Sequence, residues 1–275
     1  YTQNNRMDIF SYRVAPIQIN YLGFPCTTGS KEMDYIIADK HIIPTKYKNF
    51  YTEKILYMPN CYLPYDNTRR ISDRKYKRSD FKLPNESFVL AAFHRNYKIT
   101  PKEIKIWSRI LKKIPHSILW ISELRSPANL NLINCFKNKG IEPKRIIYAK
   151  RMPSIDDHLA RHSCADIFID TFNYNGHSTT IDSLWAGLPV VTMMGESFSA
   201  RVTGSILNSI HLKELISYET SQYEEIIINL SNNPEKIAHI RNKLFNARIN
   251  GSLFDSEKQT RDIENIYTRL MDNPK

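Results

Sequence analysis

From Asn85 onward the sequence alternates short, continuous apolar runs with amphipathic stretches that open on helix-start signals. "SFVLAAF" (87–93), "SILWIS" (117–122), "RIIYA" (145–149), "ADIFIDTF" (165–172) and "PVVTM" (189–193) are strand-length and apolar on both alternating faces. Strands of that kind are buried on both sides, and when helices separate them the sheet is parallel. The intervening stretches read as helices. Thr100-Pro101-Lys102-Glu103 is a capping box with proline at the first helical position, followed by Ile104, Trp107, Ile110 and Leu111 on one face. Ser126-Pro127 opens a second helix with Leu130, Ile133 and Phe136 as its stripe, closed by Gly140. Ser154-x-x-Asp157 opens a short third helix through His158 and Arg161, and another begins near Ser178. A helix over about 198–209, a sixth strand near "ELIS" (214–217) and three C-terminal helices complete the pattern. The fold class expected is α/β, a Rossmann-like doubly wound parallel sheet, over residues 84–255, with a terminal helix over 256–275. Residues 1–83 read as part of a second α/β unit and a linker. Position 1 is Tyr rather than Met, as expected of a fragment or a processed piece.

Ligands of such sheets bind beyond the carboxyl ends of the strands. That rule selects four polar loops, 94–100, 123–127, 150–158 and 171–180. The last leads into "YNGHSTTIDSLWAGLPVVT" (174–192), where a glycine, a histidine and three hydroxyl residues stand at the head of an apolar helix. Its spacing admits two readings that are compatible. Gly176 allows a tight turn, and His177, Ser178 and Thr179 place N–H groups and hydroxyls at a helix N-terminus, a ready anion site. Thr179-x-x-Asp182 is also a capping box. Lys98 on the neighbouring loop could neutralise a phosphate or stand free on the surface. His158 and Arg161, one turn apart, could hold a base or form a surface pair. Glu196 and Arg201 flank another helix start under the same two readings.

Composition narrows the classes. At 41% hydrophobic residues the chain can bury a core, and no apolar run approaches membrane-spanning length. Cys26, Cys61, Cys135 and Cys164 are widely spaced, without a C-x-x-C pair, as expected of buried free thiols in a reducing, cytoplasmic setting. The net charge of +11 is spread mostly over helix surfaces, with one dense stretch, "RRISDRKYKR" (69–78), that reads as a solvated linker. No aromatic-basic platform accompanies the charge, so neither nucleic acid nor a membrane is expected as partner. There is no D-x-D pair to hold a metal, no P-loop and no G-x-G-x-x-G, which disfavours P-loop NTPases and classical dinucleotide dehydrogenases.

Together, "APIQINYLGFPCTTGSKEMDYIIAD", "YKITP", "HSILWI", "HLARHSCADIFIDTFNYNGHSTTIDSLWAGLPVVTMMGESFSARV" and "LFD" resemble the C-terminal catalytic region of the O-linked N-acetylglucosamine transferase and SPINDLY family, glycosyltransferase family 41. The resemblance implies a GT-B architecture of two Rossmann-like lobes with a nucleotide sugar between them. It implies an inverting, metal-independent transfer, with no cofactor, from UDP-N-acetylglucosamine or a related donor such as GDP-fucose to Ser or Thr of a protein acceptor. By the same resemblance, Lys98 and the His177–Ser178–Thr179 helix head would hold the leaving diphosphate. His158 and Arg161 would hold the base, Asp182 the ribose hydroxyls, Arg95 a phosphate, and Leu22, Gly23 and Pro25 would approach the sugar from the other lobe. Three departures stand out. Cys26 occupies a position where the family has glycine, Arg95 one where it often has an amide, and the 153–158 loop is one residue longer. The family's first lobe would lie mostly before residue 1, so no general base is named. The alternatives are a non-catalytic nucleotide-binding or interaction module, and a related GT-B enzyme acting on asparagine or a glycan.

Overall fold

The computed structural model describes residues 4–272. It contains two parallel sheets. The smaller pairs β1 (Ile19–Asn20), β2 (Tyr35–Ala38) and β3 (Lys54–Tyr57) in the order β1-β2-β3. The larger contains β4 (Phe88–Ala92), β5 (Ser117–Ser122), β6 (Ile146–Ala149), β7 (Ile167–Ile169), β8 (Val190–Met193) and β9 (Ile216–Ser217). Its order, β6-β5-β4-β7-β8-β9, runs outward from β4 in one direction and from β7 in the other, with every pair parallel. The crossovers are α1 (Pro101–Lys113), α2 (Ala128–Lys137), α3 (Ile155–Ala160), α4 (Ser178–Trp185) and α5 (Val202–Ser209). After β9 come α6 (Thr220–Ser231), α7 (Pro234–Asn250) and α8 (Ser256–Asp272).

The central strands are buried on both faces as their sequence requires. Every residue of β4, β7 and β8 is buried. The capping box of α1 forms as read: Thr100 accepts from the Lys102 amide, and Glu103 receives the Thr100 amide at 2.8 Å. Ser154 caps α3 by accepting from the Asp157 amide. Gly140 stands at φ +77° behind α2, the left-handed conformation that ends helices cheaply. The stripe of α2 differs from its sequence reading. Leu132 and Phe136 are buried while Leu130 is exposed, because α2 starts at Ala128, after the proline, and turns Leu130 outward.

The two sheets share one continuous apolar core that runs from Ile36 and Ile37 through the large sheet to Phe254. Asp39, fully buried at the end of β2, joins them through polar groups. It accepts from the amides of His41, Ile42 and Tyr62 and, at 2.6 Å, from Ser205 of α5. The terminal helix returns to the smaller sheet's side, where Gln259 donates to the Cys61 carbonyl and Ser256 to Asn67.

The basic stretch 69–78 lies outside both sheets but is pinned. Arg69 pairs with Asp182 at 2.9 Å, and Arg78 reaches the carbonyls of Cys164, Asn85 and Ser87 and the carboxylate of Asp166. Arg78 clasps backbone carbonyls, while Arg70, Asp73, Arg74, Lys75 and Lys77 stay exposed in an irregular loop, so the solvated stretch is anchored at its two ends. Of the four free cysteines, Cys61 and Cys164 are buried, Cys26 is half-buried and Cys135 exposed on α2, so only two match the expected buried thiols. Among the described residues no helix is long and apolar enough to cross a membrane.

Candidate nucleotide-sugar site

The strand order reverses between β4 and β7, and the loops leaving these two strands carry Lys98 and His177. The crevice at such a reversal is where open α/β sheets bind ligands. The 170–177 loop is built on two buried carboxylates. Asp170, at the end of β7, accepts from the amides of Thr171 and Gly176 (2.9 and 2.7 Å) and from the Thr192 hydroxyl (2.8 Å). Glu103 of α1 accepts from the Phe172 amide at 2.9 Å. Asn175 is also fully buried: its amide donates to the Ser199 carbonyl and its side chain to the Thr171 carbonyl. The loop thus has its conformation set before any ligand arrives.

Gly176 is required here for space rather than for backbone freedom. A Cβ at this position would stand 2.5 Å from the Thr180 hydroxyl and 2.7 Å from that of Thr179, and its φ is not positive. The left-handed conformation on the opposite wall falls instead on Leu22, at φ +61°, beside Gly23.

The helix head does not carry the cap that the spacing allows. The N-cap of α4 is His177, and no side chain caps it. The capping box expected from Thr179 and Asp182 does not form. Thr179 is already the second helical residue, and Asp182, one turn further in, is buried against Arg69. Unpaired N–H groups at an uncapped helix start favour an anion.

Lys98 donates to the Asn175 carbonyl at 2.7 Å, and its ammonium lies 4.1 Å from the centre of the Tyr174 ring. Tyr174 stacks on His177, with ring centres 4.9 Å apart and planes at 22°. Burial lowers the Lys98 pKa to about 8, with Asp170 opposing the shift and Arg95 adding to it. Burial, then the Lys98 charge, lowers His177 to about 4, so its imidazole is neutral at pH 7. His177 Nε2 is buried without a partner.

Two cavities meet at this head, with Ser178 lining both. The first, about 180 Å3, is enclosed by Leu22, Gly23, Phe24 and Pro25 from the small-sheet side and by Tyr174, His177 and Ser178 from the large. The second, about 560 Å3, runs along Phe93, Arg95, Pro153, His158, Arg161 and Thr179. The structure therefore brings Leu22, Gly23, Pro25, His177 and Ser178 to one chamber and Arg95, His158, Arg161 and Thr179 to the adjoining groove. Lys98 reaches the chamber side only through its contact with the Tyr174 ring, which lines the smaller cavity. Lys98 and Asp182 are the exceptions: both line neither cavity, Lys98 holding the Asn175 carbonyl and Asp182 being engaged by Arg69. Arg161 is half an exception. Its guanidinium is buried over the Phe93 ring (4.3 Å) and donates to the Lys150 carbonyl, bracing the 150–155 loop from within. His158 packs against His162 and Phe93, and burial lowers its pKa to about 4. Of the other flagged residues, Arg201 clasps the carbonyls of His41 and Gly195, while Glu196 is exposed. Among the described residues no group of His, Cys, Asp and Glu could hold a metal ion.

Sequence reasoning gave Tyr174, Asn175 and Asp170 no part in the site and read Glu103 only as a helix cap. Asp170 left a signal, a carboxylate closing an otherwise apolar strand. Tyr174 left none, since an aromatic before Asn-Gly is unremarkable in a turn.

Two Rossmann-like units, with a ligand crevice at the strand-order reversal of one and a turn of the other facing it, define a GT-B-type protein. The sucrose-phosphate synthase of Thermosynechococcus elongatus shares this fold at a TM-score of 0.62 and 12% identity, over 87% of the chain. The chain belongs to glycosyl transferase family 41, whose model matches residues 1–77 and 71–263. It is 33% identical to the probable UDP-N-acetylglucosamine–peptide N-acetylglucosaminyltransferase SEC of Arabidopsis thaliana, over 98% of this chain and 28% of that protein. It is 31% identical to the probable enzyme of the same activity, SPINDLY, of Solanum lycopersicum, over 98% of this chain and 29% of that protein. A structure of a Thermobaculum terrenum O-GlcNAc transferase variant matches at a TM-score of 0.86 and 28% identity, covering 96% of this chain and 50% of that one. The chain thus spans less than a third of these two curated relatives.

Proposed function

We propose that this chain forms the donor-binding part of a protein O-glycosyltransferase that takes N-acetylglucosamine from UDP-N-acetylglucosamine and transfers it to Ser or Thr hydroxyls, with inversion and without a metal. The observation that carries the reading is His177: a buried, neutral imidazole with an unpartnered Nε2, at an uncapped helix head beside a half-buried lysine. A buried polar atom without a partner marks a place where a ligand atom completes the hydrogen bonding. A diphosphate supplies the charge that this head lacks and favours the protonated imidazole, which then donates from Nε2 to a phosphate oxygen while the Ser199 backbone holds its other N–H. We place the base in the larger groove beside His158, and the sugar in the smaller chamber under the Leu22–Pro25 turn.

In the transfer, the acceptor oxygen bonds to the anomeric carbon as the bond from that carbon to the β-phosphate oxygen breaks. The electron pair and its charge pass to the diphosphate. Lys98, the α4 head and His177 stabilise that developing charge in a site fixed beforehand. The hydroxyl proton passes to a general base that we assign to no residue of the two cavities. The widely spaced free thiols suit a cytoplasmic setting. Arg95 extends the positive lining beside the phosphates.

Isothermal titration of the full-length protein with UDP, UDP-N-acetylglucosamine and GDP-fucose, with and without EDTA, tests the reading. Binding of the two uridine nucleotides that survives EDTA is expected. Binding of GDP-fucose alone reassigns the sugar, and a folded sample that binds none of the three refutes the site. Mass spectrometry of an acceptor protein then separates Ser/Thr from Asn modification, and binding without any transfer identifies a nucleotide-binding module.

A further inference from the structure

Tyr174 stands between the two groups that would meet the diphosphate. One face of its ring carries the Lys98 ammonium at 4.1 Å, and the ring stacks on His177 at 4.9 Å. The ring is half-buried and also lines the smaller chamber. Its own backbone is fixed, because the Tyr174 carbonyl accepts from the Thr171 hydroxyl at 2.6 Å. The next residue, Asn175, supplies the carbonyl that holds Lys98. One ring and one adjacent peptide therefore hold the cation, and the same ring supports an imidazole that the Ser199 backbone also holds.

We infer that Tyr174 is a positioning residue, an aromatic platform that holds Lys98 and His177 in register for the donor's diphosphate. The inference rests on the donor-site reading above and deepens it. The physical basis is the negative face of the ring. It attracts the ammonium, and its flat surface limits the rotation of the imidazole stacked on it. Without the ring Lys98 retains its hydrogen bond to the Asn175 carbonyl, while its charged neighbours act through space. Those neighbours are Asp170 at the end of β7, which favours its charge, and Arg95 on its own loop, which opposes it. His177 on the α4 side is neutral. An ammonium free to swing toward Asp170 would leave the phosphate position. His177 without its stacking partner would keep only its hydrogen bond to the Ser199 backbone, about which the ring can tilt and turn Nε2 from the chamber.

The test is UDP affinity by calorimetry in the full-length protein for wild type, Tyr174→Leu, Tyr174→Phe, Lys98→Met and the Tyr174→Leu/Lys98→Met double variant. Tyr174→Leu is expected to bind UDP about tenfold more weakly, the range of a partly desolvated cation–π contact. Tyr174→Phe, which keeps the ring, is expected to recover most of that loss. In the Lys98→Met background, Tyr174→Leu is expected to cost clearly less, since part of what the ring holds is already gone. That coupling separates positioning from a general structural role, which would give the same loss in both backgrounds. Should Tyr174→Leu fail to fold, Tyr174→Gln fills similar space without a π face and replaces it. Undiminished affinity in the ringless variant, or equal losses in both backgrounds, overturns the platform while wild-type binding upholds the donor site. Absence of UDP binding by folded wild type overturns both.

Discussion

Lys98→Met offers the sharpest check on the site, because the structure sets both the size of its effect and its pH dependence. Its ammonium is half-buried beside the uncapped head of α4, with its pKa lowered to about 8. A unit charge about 4 Å from a phosphate charge, at an effective dielectric near 20, is worth about 4 kcal/mol. Displaced water and the existing Asn175 contact offset part of this, which leaves about 2 to 3 kcal/mol, or roughly a 30- to 150-fold loss of UDP affinity at pH 7. The sign of the pH effect follows from the binding form. A diphosphate prefers the protonated lysine, so affinity is full below pH 8 and falls as pH rises through it. The protonated fraction drops from about nine-tenths at pH 7 to about one-tenth at pH 9, and apparent affinity scales with that fraction, giving about a tenfold decline. Calorimetric titration with UDP from pH 6.5 to 9 for both proteins measures it. Ionisation of the nucleotide itself is common to the two, so the difference between their profiles isolates Lys98. Parallel profiles, or a lysine-free variant of wild-type affinity, would remove Lys98 from the phosphate site.

Gly176→Ala places a Cβ 2.5 Å from the Thr180 hydroxyl and is expected to cost about 1 to 3 kcal/mol of stability through overpacking. It should also weaken UDP binding, because relief of the clash moves the head of α4; thermal melting and calorimetry on one sample read both effects. Glu103→Ala removes the α1 capping box and leaves the buried Phe172 amide without its acceptor. Urea denaturation should show a loss of about 2 to 4 kcal/mol with an unchanged slope, the sum of a lost cap and an orphaned amide.

Much of the large sheet was legible because its signals are local. The capping box at Thr100, the N-cap at Ser154 and the double-sided apolar runs of β4, β5, β7 and β8 act over a few residues, and the structure keeps them. Where a local signal competed with a distant partner, it lost. Thr179-x-x-Asp182 has the spacing of a capping box, but Arg69, 113 residues away, takes the carboxylate. The 69–78 stretch reads as solvated charge, and its middle is, yet Arg69 and Arg78 at its ends bond the Asp182 carboxylate and the carbonyls of Cys164, Asn85 and Ser87. Leu130 has helical spacing, but the start of α2 turns it outward.

The site divides along the same line. The sequence by itself determined a parallel α/β lobe, the loops at its ligand-binding rim, and a polar helix head at 176–179 of a kind suited to an anion. Its resemblance to the family carried the Leu22–Pro25 turn, His158 and Lys98 to that same site. Only the tertiary structure decided that Lys98 bonds the Asn175 carbonyl across 77 residues of sequence, that Tyr174 lies between Lys98 and His177, and that Asp182 faces away. The physical reason is range. Periodicity and capping are written by neighbours within about one helical turn. The charge, burial and orphaned hydrogen bonds that make a binding site arise where separate strands end side by side.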